Sequence, residues 1–107
     1  MHEKRIEIRW RDLDAAGHVN NAVYVTYVEE AQAALLARIL PDAQPGDPPD
    51  FVTARVAIDY REELRLADRA VVGRSTVVRV GESSVTARSE LYAAAGHLVA
   101  EAETVLV

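Results

Sequence analysis

Most of the side chains that could do chemistry in this sequence fall in one run: Arg9-Trp10-Arg11-Asp12-Leu13-Asp14-Ala15-Ala16-Gly17-His18-Val19-Asn20-Asn21. Tyr24, Tyr27, Glu29 and Glu30 follow closely. A carboxylate can attack an electrophilic carbon or draw a proton from water. The first turn of a helix offers unpaired N–H groups and a positive dipole end, which suit a developing negative charge. A helix starting at Asn20 or Asn21 would therefore complete the parts needed for acyl transfer: a group to attack or activate water, and a donor for the oxyanion. Taken singly, the same residues have plainer uses. Asp-x-Asp ahead of a helix serves turns and caps, Asn-Asn serves as an N-cap, and tyrosines three apart on a helix pack into a core.

Spacing removes three other sites. Asp12-Leu13-Asp14-Ala15-Ala16-Gly17 opens like a calcium-binding loop, but the fifth and twelfth places hold Ala16 and Val23, which supply no ligand. His2, His18 and His97 are far apart, and neither Glu29 nor Glu30 stands in a zinc-binding H-E-x-x-H pattern, so no metal site is expected. Ser83-Ser84 lacks the G-x-S-x-G elbow of serine hydrolases. The absence of cysteine removes disulfides, thiolate sites and a cysteine nucleophile, and makes the cytoplasm the expected compartment.

The elements that must carry this run follow from periodicity. Residues 3 to 11 alternate, with Ile6, Ile8 and Trp10 on one face and Arg5, Glu7, Arg9 and Arg11 on the other, as in a half-buried strand. Ala22 to Leu40 contains no Gly or Pro and is apolar on most sides, which predicts one long buried helix of roughly 30 Å. Pro41 ends it, and all four prolines fall in a loop up to Pro49. Period two then returns, with Val52, Ala54, Val56, Ile58 and Tyr60 on one strand face. A charged turn from Arg61 to Asp68 follows. Strands are expected at Ala70 to Val80, Val85 to Ala93 and Leu98 to Val107, with a Gly81–Ser84 turn between the first two. The order is β-α-β-β-β-β, an α+β domain whose mostly antiparallel sheet of five strands curls about one central helix.

The chain has 107 residues, one domain's worth, and half are apolar. No run approaches the ~20 apolar residues of a membrane span, and Met1 to Arg5 leads into alternation rather than a signal-type hydrophobic block. The net charge is −5, and the basic residues are scattered instead of forming the stripe that nucleic acid binding needs. Of the 12 basic residues only Lys4 is not arginine, and guanidinium forks suit phosphate at a local site.

Taken together, Trp-x-Asp-x-Asp-x-x-Gly-His-Val-Asn-Asn followed by Tyr-x-x-Tyr-x-Glu-Glu-Ala, over residues 10 to 31, resembles the 4-hydroxybenzoyl-CoA thioesterase-like branch of the hotdog superfamily. The resemblance implies a hotdog fold over residues 1 to 107 and hydrolysis of an acyl-CoA to free acid and CoA. The family's catalytic carboxylate lands on Asp14, and the helix-start N–H that polarises the thioester carbonyl lands on Asn21. The same stretch is similar to plant acyl-ACP thioesterases. Asp14 and His18 match there, the expected Asn is replaced by Ala16, and the later Glu falls at Glu63. Glu30 completes the candidate catalytic set. Asn20 and Tyr24 are candidate substrate contacts, and Arg79, Ser83, Ser84 and Arg88 are candidate contacts for CoA phosphate or pantetheine.

The resemblance further implies a homodimer or homotetramer in which sheets join edge to edge and sites lie between subunits. It implies no cofactor beyond the CoA of the substrate, and no nucleic-acid or membrane partner. Many relatives run further than this sequence, which reaches Val107 at the end of its last strand. A hotdog enoyl-CoA hydratase would carry Asp-x-Asn-Pro-x-His, which Asp14-Ala15-Ala16-Gly17-His18 does not reproduce. A hotdog regulator that binds acyl-CoA without turnover would carry a fused DNA-binding unit, for which there is no room before residue 3.

Overall fold

The structure is a computed structural model and describes residues 1–39 and 51–107. Its elements are β1 (His2–Glu7), α1 (Asn21–Ile39), β2 (Thr53–Tyr60), β3 (Ala70–Val80), β4 (Val85–Ala93) and β5 (Leu98–Leu106), with single 3-10 turns at Trp10–Asp12 and Leu66–Asp68. Leu40 and the expected proline-rich loop at 41–49 lie outside the described residues.

The five strands form one sheet in the order β1-β3-β4-β5-β2, and every neighbouring pair is antiparallel. Strand alternation sends Ile6, Val71, Leu91, Ala93, Ala100 and Ala102 to one face, where α1 packs over β1, β3 and β4. The helix answers with Tyr24, Tyr27, Val28, Ala31 and Leu35. Its closest approach is over Gly73, where an added Cβ would stand 2.7 Å from the Ala31 Cβ. Only hydrogen fits at that crossing. Gly73→Ala is expected to lower stability by about 1–3 kcal/mol through overpacking, read as a fall in the thermal midpoint.

Two expectations need correction. The first strand stops at Glu7 instead of running to residue 11, because the Asp12 carboxylate accepts the Arg9 N–H at 2.9 Å and closes a tight turn there. That turn leaves Trp10 79 % exposed instead of on the inner face. The helix is also buried on one side only: Ala22, Thr26, Glu29, Glu30, Ala33, Ala37 and Arg38 are exposed. The many alanines made it look apolar all round, yet alanine favours helix on an open surface as readily as in a core. The expected strands at Ala70–Val80 and Val85–Ala93 coincide with β3 and β4.

Candidate active site

The chemistry-bearing run folds into a tight hairpin between β1 and α1. Leu13 and Val19 form an isolated antiparallel bridge. The Asp14 N–H donates to the His18 carbonyl at 2.8 Å, and the Gly17 N–H donates to the Asp14 carbonyl at 3.0 Å. Gly17 turns the chain at φ +81°, a conformation that glycine adopts without steric cost. The Asp14 side chain supports the same turn, its Oδ1 accepting N–H groups from Ala16 at 2.9 Å and His18 at 3.3 Å. Oδ2 has no hydrogen-bond partner among the described residues, and Asp14 is exposed. One oxygen is thus anchored while the other is left without a partner among the described residues, and Asp14 lines the cleft.

Asp12, the first carboxylate of the pair, has a different task. It is 3 % exposed and accepts the Tyr27 hydroxyl at 2.7 Å as well as the Arg9 N–H, with the Arg9 guanidinium 3.2 Å away. Burial by itself would raise its pKa. The Arg9 N–H, the Tyr27 hydroxyl and the Arg9 guanidinium together outweigh burial and hold it below the ordinary carboxylate range. Burial, then the hydrogen bond to Asp12 and the Asp12 charge, push the Tyr27 hydroxyl well up, so that it stays a proton donor. Asp12 therefore ties the end of β1 to the middle of α1 and fixes where the Asp14 hairpin stands.

The helix start is assembled by Asn20. Its Oδ1 takes the Ala22 N–H and its carbonyl takes the Val23 N–H, each at 2.9 Å. The Asn21 N–H has no partner among the described residues, which leaves it as the free donor of the first turn. Asn20→Ala is expected to cost about 1 kcal/mol in chemical denaturation, the usual loss for an N-cap.

A strap, residues 61–65, closes the other side. The Val19 N–H donates to the Leu64 carbonyl at 2.8 Å, and His18 bridges to Arg65. The His18 Nε2 lies 2.8 Å from the Glu63 Oε2 and 2.8 Å from an Arg65 guanidinium nitrogen. With a proton on Nε2 the ring donates to Glu63; without one it accepts from Arg65. Arg65 also holds Glu63 at 3.1 Å. Tyr24 donates its hydroxyl to the Glu62 carbonyl at 3.0 Å, and burial raises its pKa. Tyr60 donates to the Asn21 carbonyl at 2.8 Å and meets Tyr24 edge-on, ring centres 5.2 Å apart.

The result is a cleft of about 380 Å³ lined by Asp14, His18, Val19, Asn21, Tyr24, Tyr60, Arg61, Glu62 and Glu63. Of the sequence candidates, Asp14, His18, Asn21, Tyr24 and Glu63 meet there, with Asn20 beside them as the cap. Glu30 does not: it is exposed on α1, near Arg9. Arg79, Ser83 and Ser84 belong to the β3–β4 hairpin, about eight residues along the sheet from the row Tyr60–Ala100–Leu91–Gly73, or roughly 25 Å. Arg88 lies on the face away from α1, 3.3 Å from Glu101. Those four are thus apart from the cleft of their own chain.

Sequence reasoning missed Tyr60 and Arg65 as site residues. Tyr60 was legible only as a strand residue, since nothing in the period of two tells that β2 ends against the helix start. Among the described residues no three His, Asp or Glu side chains converge as a metal site would require, and no helix there is long and apolar enough to cross a membrane.

The thioesterase-like superfamily matches residues 8–107. Among solved structures, a thioesterase from Thermus thermophilus, complexed with coenzyme A and Zn, is 34% identical with a TM-score of 0.84, covering 98% of this chain and 76% of its own. A candidate acyl-CoA thioesterase from Xanthomonas campestris is 30% identical with a TM-score of 0.84, over 99% of this chain and 90% of its own. A candidate thioesterase from Pseudomonas aeruginosa is 27% identical with a TM-score of 0.86, over 99% and 82%. No curated protein matches. With a family match over nearly its whole length and a β-α-β-β-β-β sheet that superimposes on these thioesterases, the chain belongs to the thioesterase-like superfamily and has the hotdog fold.

Proposed function

We propose that the protein is an acyl-CoA thioesterase that uses Asp14 as nucleophile or general base and the Asn21 N–H as oxyanion donor. The observation that carries this is the pairing, in one cleft, of a carboxylate and a helix start that, among the described residues, keep one oxygen and one N–H without a partner. The thioester carbonyl oxygen would sit against the Asn21 N–H, with Asp14 on the other side of the carbon. Attack by Asp14 forms an acyl–aspartyl anhydride and releases CoA thiolate, and water then cleaves the anhydride. As a base, Asp14 instead takes a proton from the attacking water. His18, held between Glu63 and Arg65, would orient the thioester or deliver a proton to the leaving thiolate.

The proposed assembly is a homodimer or homotetramer, the proposed compartment the cytoplasm, and no cofactor is required. Arg79, Ser83, Ser84 and Arg88 remain proposed CoA contacts, which requires that they act on a cleft belonging to another copy. Glu30 has no role in the cleft of its own chain on this reading. A second reading keeps the chemistry and changes the thiol carrier to acyl carrier protein; the Glu63–His18 contact at 2.8 Å favours it, since those are the residues shared with the plant enzymes.

Thiol release from short, long and aromatic acyl-CoAs, followed with a chromogenic thiol reagent, tests the proposal. Turnover on at least one acyl-CoA is the expected result. Turnover on acyl-ACP alone would establish the second reading, and CoA binding without thiol release on either carrier would make the protein a non-catalytic binder.

A further inference from the structure

His18 meets two opposed partners through one nitrogen. Its Nε2 stands 2.8 Å from the Glu63 Oε2 and 2.8 Å from an Arg65 guanidinium nitrogen, and of the two only the Arg65 contact is a hydrogen bond. An imidazole nitrogen holds either a proton or a lone pair in the plane of the ring, and a guanidinium in a protein only donates. A hydrogen bond from Arg65 therefore needs a bare Nε2. The single proton of the neutral ring must then sit on Nδ1.

The strap is built to put Arg65 in that position. His18 and Arg65 oppose each other in an isolated antiparallel bridge, beside the hydrogen bond from the Val19 N–H to the Leu64 carbonyl. The Arg65 N–H is held by the Asp68 carboxylate at 2.7 Å, which closes the Leu66–Asp68 turn behind it. Glu63 accepts the guanidinium twice, from Nε at 3.1 Å and from the terminal nitrogen at 3.5 Å. That same terminal nitrogen reaches His18. Its two hydrogens can serve both partners, so the Glu63 carboxylate orients the arginine that donates to the ring. All three side chains are partly exposed, so the network adds little stability; what it governs is where the proton sits.

The other polar groups around the cleft are engaged elsewhere. Asp14, on the same hairpin, accepts the His18 backbone N–H and makes no hydrogen bond with its ring. Glu62 lies 3.1 Å from the His97 Nε2, and Tyr24 and Tyr60 donate their hydroxyls to backbone carbonyls. The His18 Nδ1 has no hydrogen-bond partner among the described residues, and His18 lines the cleft.

We propose that Arg65 is a positioning residue that holds the proton of neutral His18 on Nδ1, so that the ring offers the cleft a hydrogen-bond donor instead of a base. The proposal rests on the thioesterase reading and decides between the two roles given there for His18. A neutral ring that released its Nδ1 proton would become an imidazolate anion. His18 in this state therefore orients the thioester by donating a hydrogen bond and does not deliver a proton to the thiolate, as a neutral imidazole can polarise a carbonyl without protonating it.

Long-range nitrogen–proton NMR spectra of the imidazole rings, taken on isotopically labelled wild-type protein at a pH where imidazole is neutral, read the tautomer directly. The signals lost in His18→Asn tell His18 from His2 and His97. A protonated Nδ1 and a bare Nε2 are expected in wild type. Arg65→Met removes the donor and keeps much of the side chain's length; with native circular dichroism retained, it is expected to move the proton to Nε2, beside Glu63. Its kcat/KM for thioester hydrolysis should fall roughly tenfold, the scale of one lost hydrogen bond. A proton on Nε2 in wild type, or one that stays on Nδ1 in Arg65→Met, would overturn the assignment. So would an Arg65→Met enzyme that changes tautomer and still hydrolyses at the wild-type rate. The spectra need no turnover, so inactivity toward every thioester would count against the thioesterase reading while the tautomer is still decided.

Discussion

Asp14→Asn is expected to lower kcat/KM for thioester hydrolysis by about 10²–10⁴, the range of a lost general base, while the fold is retained. Asparagine keeps an Oδ1 that can accept the Ala16 and His18 N–H groups, so the Gly17 hairpin should stay closed. What it removes is the negative charge of a side chain that lines the cleft. The melting temperature should therefore stay near that of wild type, and circular dichroism should be unchanged. Asp14→Ala confounds the two effects, because it also empties the turn. An Asp14→Asn protein that hydrolyses its substrate at the wild-type rate would remove Asp14 from the mechanism, whatever the Ala variant does.

The second large effect concerns stability. Asp12→Ala should cost about 3 kcal/mol, because it leaves the buried Tyr27 hydroxyl without an acceptor and the Trp10–Asp12 turn without its closing group. Tyr27→Phe removes only the donor and should cost about 1 kcal/mol. In the double variant the losses should fall short of their sum, since both act on one contact.

The same carboxylate gives the protein an acid dependence. Its folded pKa lies below the ordinary 3.8, so the unfolded chain takes up the proton first as pH falls. The stability it contributes is complete above the unfolded value and is lost as pH drops from there through the folded value. Glu101, held low first by its hydrogen bond from Arg61 and also by Arg88, acts in the same direction. It is present in both proteins when Asp12→Asn is compared with wild type. Thermal midpoints measured from pH 6 down to pH 2 should therefore converge between the two as the medium becomes acid. Parallel curves would mean that Asp12 does not carry the shift.

The cost of Asp12 also explains how a carboxylate pair two residues apart divides its work. Both sit in the same Asp-x-Asp, with similar neighbours in sequence. The 3-10 turn carries Asp12 inward to Tyr27, while Leu13 and the bridge to Val19 carry Asp14 outward to the cleft. Resemblance to a known motif singled out Asp14; composition and spacing alone treat the two alike. The partner that separates them, Tyr27, lies fifteen residues on along the chain.

Much of the rest was legible locally. Period two located β3 and β4, and Gly and Ser placed the hairpin between them, since these signals depend on neighbours within a few residues. Asn20 or Asn21 was readable as the cap because capping is a contact across two or three positions. Local patterning also misled twice, and for related reasons. Alternation through Trp10 continued past the true strand end because a turn closed by a side chain leaves the apolar period intact. The alanine-rich helix looked buried all round because alanine is neutral between core and surface.

What the sequence by itself determined is the element order, the helix start and the chemical content of the Asp12–Asn21 run, all products of contacts short in chain length. What only the tertiary structure decided is which distant segments face that run. Antiparallel pairing in the order β1-β3-β4-β5-β2 brings the end of β2 and the 61–65 strap against the helix start. That puts Glu63 and Arg65 on His18 and Tyr60 on Asn21. It also carries Arg79 and the Gly81–Ser84 turn to the far end of the sheet. These contacts span some 40 residues or more of chain, and no local propensity encodes them; sheet closure around one packed helix face does.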